Sequence, residues 1–527
     1  MTLFWERLKD EGPDSPAHPE GGPIMAGNSY PEFVEFVKEC QNAQYAAGIL
    51  GWDQETYMPH GGAMERANQM ATMAKWFHDY FTSDRMRGYL DEMRRPDVTD
   101  SLSPEQQTNV RETGWQYDRE MSIPGELVKE MAKHTSLSLE AWKKARGDDN
   151  YNHFAPFLEK MIDLKVQMAE HIGYEDNLYD ALIDEYEPGT RTKDVEVVFA
   201  DLRERLVPIV KKIIDSDVHP NESILAQPWP LEKQKEFGVM VVGDIGYDWE
   251  RGRLDEAPHP FTSGAIDDVR ITTRYNENDI RPALFANIHE AGHAMYQQGL
   301  NAEHYATPMG EAIGLGFHES QSRMWENIVG RSMPFWRHYY PKLQSTFPNQ
   351  VGSVPIEDFY AAANLVKPSL IRVEADEVTY NLHVLIRFEM ELAMMNGKVG
   401  IDEIPALWNE KYKSYLGIDV PSDADGCMQD IHWSMGIQGY FPTYTFGNLI
   451  SVQLWNTMVK DIPDIWGQIE AGNFSGLLGW LNEKVHRPGK MYRTPDMLEH
   501  LTGEPMNADH WIGYIKEKFG PIYGVQF

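Results

Sequence analysis

The sequence predicts one mostly α-helical body with a small sheet beside a cleft, and three observations lead there. Apolar residues recur at helical spacing from about residue 29 to the C-terminus. Only two short stretches, 247–254 and 269–275, carry β character. No repeat of solenoid period and no glycine- or serine-rich linker divides the body.

Residues 1–28 are read as a flexible leader, because 8–28 are rich in proline, glycine and charge. Residues 29–527 form the body. Ser29 stands as a helix N-cap with Pro31 early in the first helix, and Phe33, Phe36, Val37, Cys40 and Ala47 mark its apolar side. Helical patterns follow over 63–95, 104–119, 136–146, 154–171 and 195–214. Ile271, Thr272 and Thr273 give the second β stretch its partial alternation. Helices resume at Pro282. The segment 431–459 lacks Asp, Glu, Lys and Arg, yet its glycines, Pro442 and polar residues read as a buried loop-and-helix region, not a membrane span.

Composition narrows the function. Of 527 residues, 81 are acidic and 48 basic, a formal charge of −33 whose field repels phosphate backbones and anionic lipid. Nucleic acid and membrane surfaces are therefore not expected as partners. Two cysteines, Cys40 and Cys427, exclude a disulfide framework and suit a reducing, cytoplasmic location.

The chemistry concentrates at Asn287-Ile288-His289-Glu290-Ala291-Gly292-His293-Ala294. On a helix, His289 and His293 project from one face and can share a Zn²⁺, while Glu290 can reach a water there without ligating. With 18 histidines in the chain, about 0.05 such H-E-x-x-H matches arise by chance. Gly292 costs a helix interior about 1 kcal/mol relative to alanine, which predicts a close approach by a neighbour. A third ligand is needed. The metzincin pattern fails, since Tyr296 and Gly299 stand where it needs glycine and histidine. Glu319, on a helix read over 320–328 and its approach, fits; His318 is its rival, and Glu311 and Glu326 are weaker ones.

Six ordered blocks then carry a family resemblance. They are His259-Pro260-Phe261, Asp268-Val269-Arg270-Ile271-Thr272, the His289–His293 box, His318-Glu319-Ser320-Gln321, Ile371-Arg372-Val373-Glu374-Ala375-Asp376, and Gly426 to Trp433 with Gln429, Asp430 and His432. The chain resembles the carboxypeptidase Taq family of metallocarboxypeptidases over everything after the leader. The resemblance implies a mainly α fold with a deep active-site groove, a homodimer, and removal of single C-terminal amino acids from peptides, with broad specificity and C-terminal proline disfavoured. It also implies His289, His293 and Glu319 as ligands of one divalent ion per subunit, zinc or else cobalt, and Glu290 as the catalytic carboxylate.

Further roles follow from chemistry within the matched blocks. A tetrahedral oxyanion needs a donor besides the metal, for which His432 is the first candidate and Tyr444 the second. A free terminal carboxylate suits a guanidinium, so Arg270 and Arg372 are the candidates, with Asp268, Glu374 and Asp376 as residues that orient them or the imidazoles. His259, between Pro258 and Pro260, is expected to border the groove. Two competing functions share the triad or the fold: a helical zinc oligopeptidase or peptidyl-dipeptidase, and a peptide-binding protein without catalysis.

Overall fold

The computed structural model describes residues 29–527, so the expected leader, 1–28, lies outside the described residues. The chain begins with α1 (Tyr30–Thr56), α2 (Ala63–Phe81), α3 (Pro104–Ser122), α4 (Gly125–Gly147), α5 (Tyr151–Ile172) and α6 (Thr192–Ile214). Phe33, Phe36, Val37 and Cys40 of α1 pack on Phe81, Met86, Tyr89 and Tyr117 as a small core of their own. The rest of the described residues pack around one large core.

Three local differences from the sequence reading have local causes. The segment read as a single helix over 63–95 breaks at Thr82, because the Ser83 hydroxyl accepts the Met86 N–H and caps a new helix, Asp84–Met93. α4 starts at Gly125, directly after Pro124, eleven residues before the expected 136. Ser29 does precede α1, but its side chain makes no capping bond. By contrast Ser103 forms a full capping box with Gln106 at the start of α3.

The sheet has three strands in the order β1-β3-β2: β1 (Gly252–Glu256), β2 (Thr262–Ala265) and β3 (Asp268–Thr273). β1 runs parallel to β3, and β2 antiparallel with Thr262 opposite Ile271. The sequence indicated the first and last strands. β2 escaped because four residues, one of them Gly264 at φ +119°, carry no readable alternation.

Helices α7 (Arg281–Gly299), α8 (Leu315–Arg323), α9 (Tyr380–Met395) and α10 (Pro442–Asp461) form the centre, and α11 (Asp509–Tyr523) closes on α10. The helix expected over 320–328 is the end of α8 continued by a wider π turn, Met324–Val329. α10 is buried on nearly all sides, in keeping with a sequence that carries no charge before Lys460. α7 packs against β2, β3 and α8, and α8 in turn against α10. No described helix is long and apolar enough to cross a membrane.

Candidate metal centre and active site

Close packing of two backbones fixes where α8 lies. A Cβ at Gly292 of α7 would stand 2.7 Å from Ser322 Cα and 2.9 Å from the Gln321 carbonyl. On the other side, a Cβ at Gly447 of α10 would come 2.3 Å from Glu319 Cγ. Glycine at both positions lets α8 sit between its neighbours with Glu319 pressed towards α7. The close approach that Gly292 predicted is therefore the contact with α8.

His289, His293 and Glu319 meet there, each offering a ligand atom within 4.8 Å of the others. Glu319 Oε2 lies 3.5 Å from His289 Nε2 and 3.3 Å from His293 Nε2. Donors bound to zinc at about 2.05 Å in a tetrahedron stand about 3.3 Å apart, so this donor set fits such an ion. Glu319 has only one oxygen to give, because Arg323 Nε donates to its Oε1 at 2.6 Å. Burial works against the Glu319 carboxylate, but Arg323 and the two imidazoles outweigh it and hold its pKa well below the usual range.

Each imidazole is oriented from behind. His289 Nδ1 donates to Glu326 Oε2 at 2.9 Å, and Arg331 and Arg323 in turn donate to Glu326. Burial opposes a charged His289, yet the Glu319 and Glu326 carboxylates raise its pKa. His293 Nδ1 is 2.5 Å from His318 Nδ1, and His318 Nε2 faces the Gln297 amide at 2.9 Å. Burial, then His293, lowers the His318 pKa well below its ordinary value, which keeps the ring neutral. An Nε2 lone pair on His293 requires donation from His293 to His318 and from His318 to Gln297, whose carbonyl end must turn inward. His318 and Glu326, both rivals as third ligand in the sequence, thus stand behind the imidazoles. Sequence spacing cannot separate a ligand from such a partner.

Glu290 is buried and lines a groove of about 1210 Å³ that also holds His289, His293, Glu319, Tyr440 and Tyr444. The Thr262 hydroxyl of β2 lies 2.6 Å from Glu290 Oε2 and 3.0 Å from its backbone carbonyl. Oε1 is left without a protein partner among the described residues. Thr262 was missed because its strand was missed, although it directly follows the His259-Pro260-Phe261 block.

The remaining candidates are less central. His259 is exposed outside the groove, whereas Pro260, Phe261 and Thr262 line it. Arg270 donates twice to Asp268, at 2.8 Å each, and lies 4.3 Å over the Trp52 ring. Arg372 is buried, donates to Asp430 at 2.9 Å and to the Tyr380 hydroxyl at 2.9 Å, and sits 4.9 Å from the Tyr444 ring. Neither arginine lines the groove. Asp268 orients Arg270 as expected, while Asp376 caps Val378 and Thr379. His432 is buried outside the groove, 3.5 Å from the Tyr444 hydroxyl, with its pKa pushed down to about 3 by burial. Arg323 does line the groove. It was unremarked in the sequence because an arginine after a ligand helix has no diagnostic spacing.

The family model for the carboxypeptidase Taq (M32) metallopeptidases matches residues 32–519. The chain belongs to that family. It is 40% identical to thermostable carboxypeptidase 1 of Thermus thermophilus over 508 residues, covering 94% of this chain and 99% of that protein. Carboxypeptidase 1 of Bacillus subtilis is 38% identical over 93% and 98%. The crystal structure of the M32 carboxypeptidase from Deinococcus radiodurans superposes with a TM-score of 0.92 at 38% identity, over 95% of this chain and all of that one. The enzyme is thus a metal-dependent carboxypeptidase acting on peptides, which decides against the oligopeptidase and the inactive binding protein.

Proposed function

We propose that His289, His293 and Glu319 hold one divalent ion per subunit, zinc ahead of cobalt, and that Glu290 is the general base of a hydrolysis releasing one C-terminal residue at a time. The observation that carries this reading is the convergence of three ligand atoms on a groove wall that also presents Glu290. A bound ion supplies Lewis acidity, making water a better nucleophile at neutral pH and polarising the scissile carbonyl. Glu290 takes the proton of the attacking water and passes it to the departing amine. Thr262 holds Oε2, so the carboxylate presents Oε1 for that transfer.

Tyr444 is the proposed donor to the developing oxyanion from the groove side, with the neutral imidazole of His432 behind it. Arg270 and Arg372, the two sequence candidates for the terminal carboxylate, are both already engaged. Asp268 and Trp52 hold Arg270, and Asp430 and Tyr380 hold Arg372, so neither is assigned that contact. His259 is assigned to the groove's border. Broad specificity with proline disfavoured, a homodimer and a cytoplasmic location complete the reading; free, buried Cys40 and Cys427 suit a reducing compartment.

Glu290→Gln tests the base. It keeps the shape and the metal, and kcat falls about 10²- to 10⁴-fold. Full activity with normal metal content sinks the assignment. Mass spectrometry of a digested peptide must show loss of single terminal residues; dipeptides or internal cuts contradict exopeptidase action.

A further inference from the structure

Away from the metal ligands, the same groove is lined by two cationic side chains whose hydrogen-bonding capacity is not filled. Lys165 of α5 has only 2% of its side chain exposed. No acceptor among the described residues lies within hydrogen-bond reach of its Nζ; the nearest carboxylate oxygen, Glu185 Oε2, is 3.9 Å away. Arg119 of α3 donates through Nη2 to the Ala181 carbonyl and to Glu185, but its buried Nη1 has no hydrogen-bond partner among the described residues, with Asp184 Oδ2 at 3.9 Å. Both side chains line the groove. A buried guanidinium nitrogen without an acceptor is costly in a folded protein, and the Lys165 ammonium on the same groove wall has no protein acceptor among the described residues either, so the pair suits a ligand that completes both.

We propose that Lys165 and Arg119 form a carboxylate-binding subsite of the groove, distinct from the metal centre, that engages a carboxylate of the peptide substrate. The chemistry is that of an anion set between an ammonium and a guanidinium with idle N–H groups, where charge-assisted hydrogen bonds are strong. Glu185, 37% exposed at the edge, is the counter-ion that shares or yields this position when the substrate enters. Asp184 does not compete, because Trp115 Nε1 and the Gly189 N–H hold its two oxygens. Met131, Met168 and Met435 line the groove with Lys165 and offer an adaptable apolar wall for the carbon chain that bears the carboxylate. Two sources present this chemistry, an acidic side chain and the peptide's own terminus.

The inference rests on the carboxypeptidase reading, and its test separates the two. Loaded wild-type enzyme, Lys165→Met and Arg119→Lys are assayed on blocked tripeptides that differ only in Glu or Gln at the last or the penultimate position. Release of single residues by the wild type from the Gln peptides tests the general reading alone. If an acidic side chain occupies the subsite, the wild type prefers Glu at one position, and Lys165→Met lowers that Glu-to-Gln ratio of kcat/KM by about tenfold or more. If the terminus occupies it, KM rises by a similar factor for every peptide while kcat and the ratio hold. Unchanged ratios and unchanged KM in folded, metal-loaded variants overturn the subsite. Should Lys165→Met fail to fold, Arg119→Lys, which keeps the charge but loses the idle nitrogen, decides by the same two readings.

Discussion

The sharpest division of labour is among carboxylates that the sequence cannot tell apart. Glu290, Glu319 and Glu326 lie on two neighbouring segments, yet one faces the groove with a free oxygen, one faces both imidazoles, and one takes the outer N–H of His289. Partners set these roles. Arg323 occupies Oε1 of Glu319, and Arg331 anchors Glu326. A carboxylate behind a ligand histidine strengthens it as a metal donor, which is the part Glu326 plays for His289. Glu326→Gln keeps an acceptor for His289 but removes its charge. Metal affinity in chelator competition is expected to fall about 10- to 100-fold, with the fold intact. An unchanged affinity removes Glu326 from the site's electrostatics.

At the scale of elements, the site depends on how closely three helices approach. Gly292 and Gly447 are helix-interior glycines, each unfavourable by about 1 kcal/mol in isolation. The structure shows the compensation: α8 fills the space beside both, with its backbone at Gly292 and with the Glu319 side chain at Gly447. Gly447→Ala places a methyl group against Glu319 Cβ and Cγ, and either α10 or the ligand must move. Overpacking of this kind costs about 1–3 kcal/mol in denaturant titration, and weaker metal retention is expected beside it. A variant that binds metal normally shows that α8 and α10 can part without disturbing the ligand. The sheet acts at this scale too, since β2 carries Thr262 to Glu290.

Across the whole molecule, buried carboxyls tie distant chain segments together. Glu187 is fully buried, accepting from the Gly316 N–H at the start of α8 and from the Thr494 hydroxyl at 2.7 Å. Burial raises its pKa from 4.5 to about 7, against the effect of those two donors. A folded-state pKa above the unfolded value means that the contribution to stability is complete below pH 4.5 and is lost as pH rises through about 7. Glutamine at this position does not titrate. Between pH 5 and pH 8, wild type is therefore expected to lose about 2–3 kcal/mol relative to Glu187→Gln. Denaturant midpoints at the two pH values measure it, and a constant difference rejects the buried-carboxyl account.

The sequence by itself determined the helical class and the paired histidines with Glu290 between them. Both rest on a 3.6-residue period written in the chain, whereas Glu319 stood beside the rivals His318, Glu311 and Glu326 until the family resemblance singled it out. The Ser83 break, the four-residue β2 and the extended start of α4 escaped because a cap, an edge strand and a polar helix turn leave little periodic trace. Only the tertiary structure decided that Thr262 holds Glu290, that Glu326 and His318 stand behind the ligands, that Arg270 and Arg372 end on carboxylates, and that Lys165 and Arg119 share the groove wall. Apart from Arg270 on Asp268, those are pairings of residues tens of positions apart. They depend on how closely whole helices pack, which no local pattern encodes.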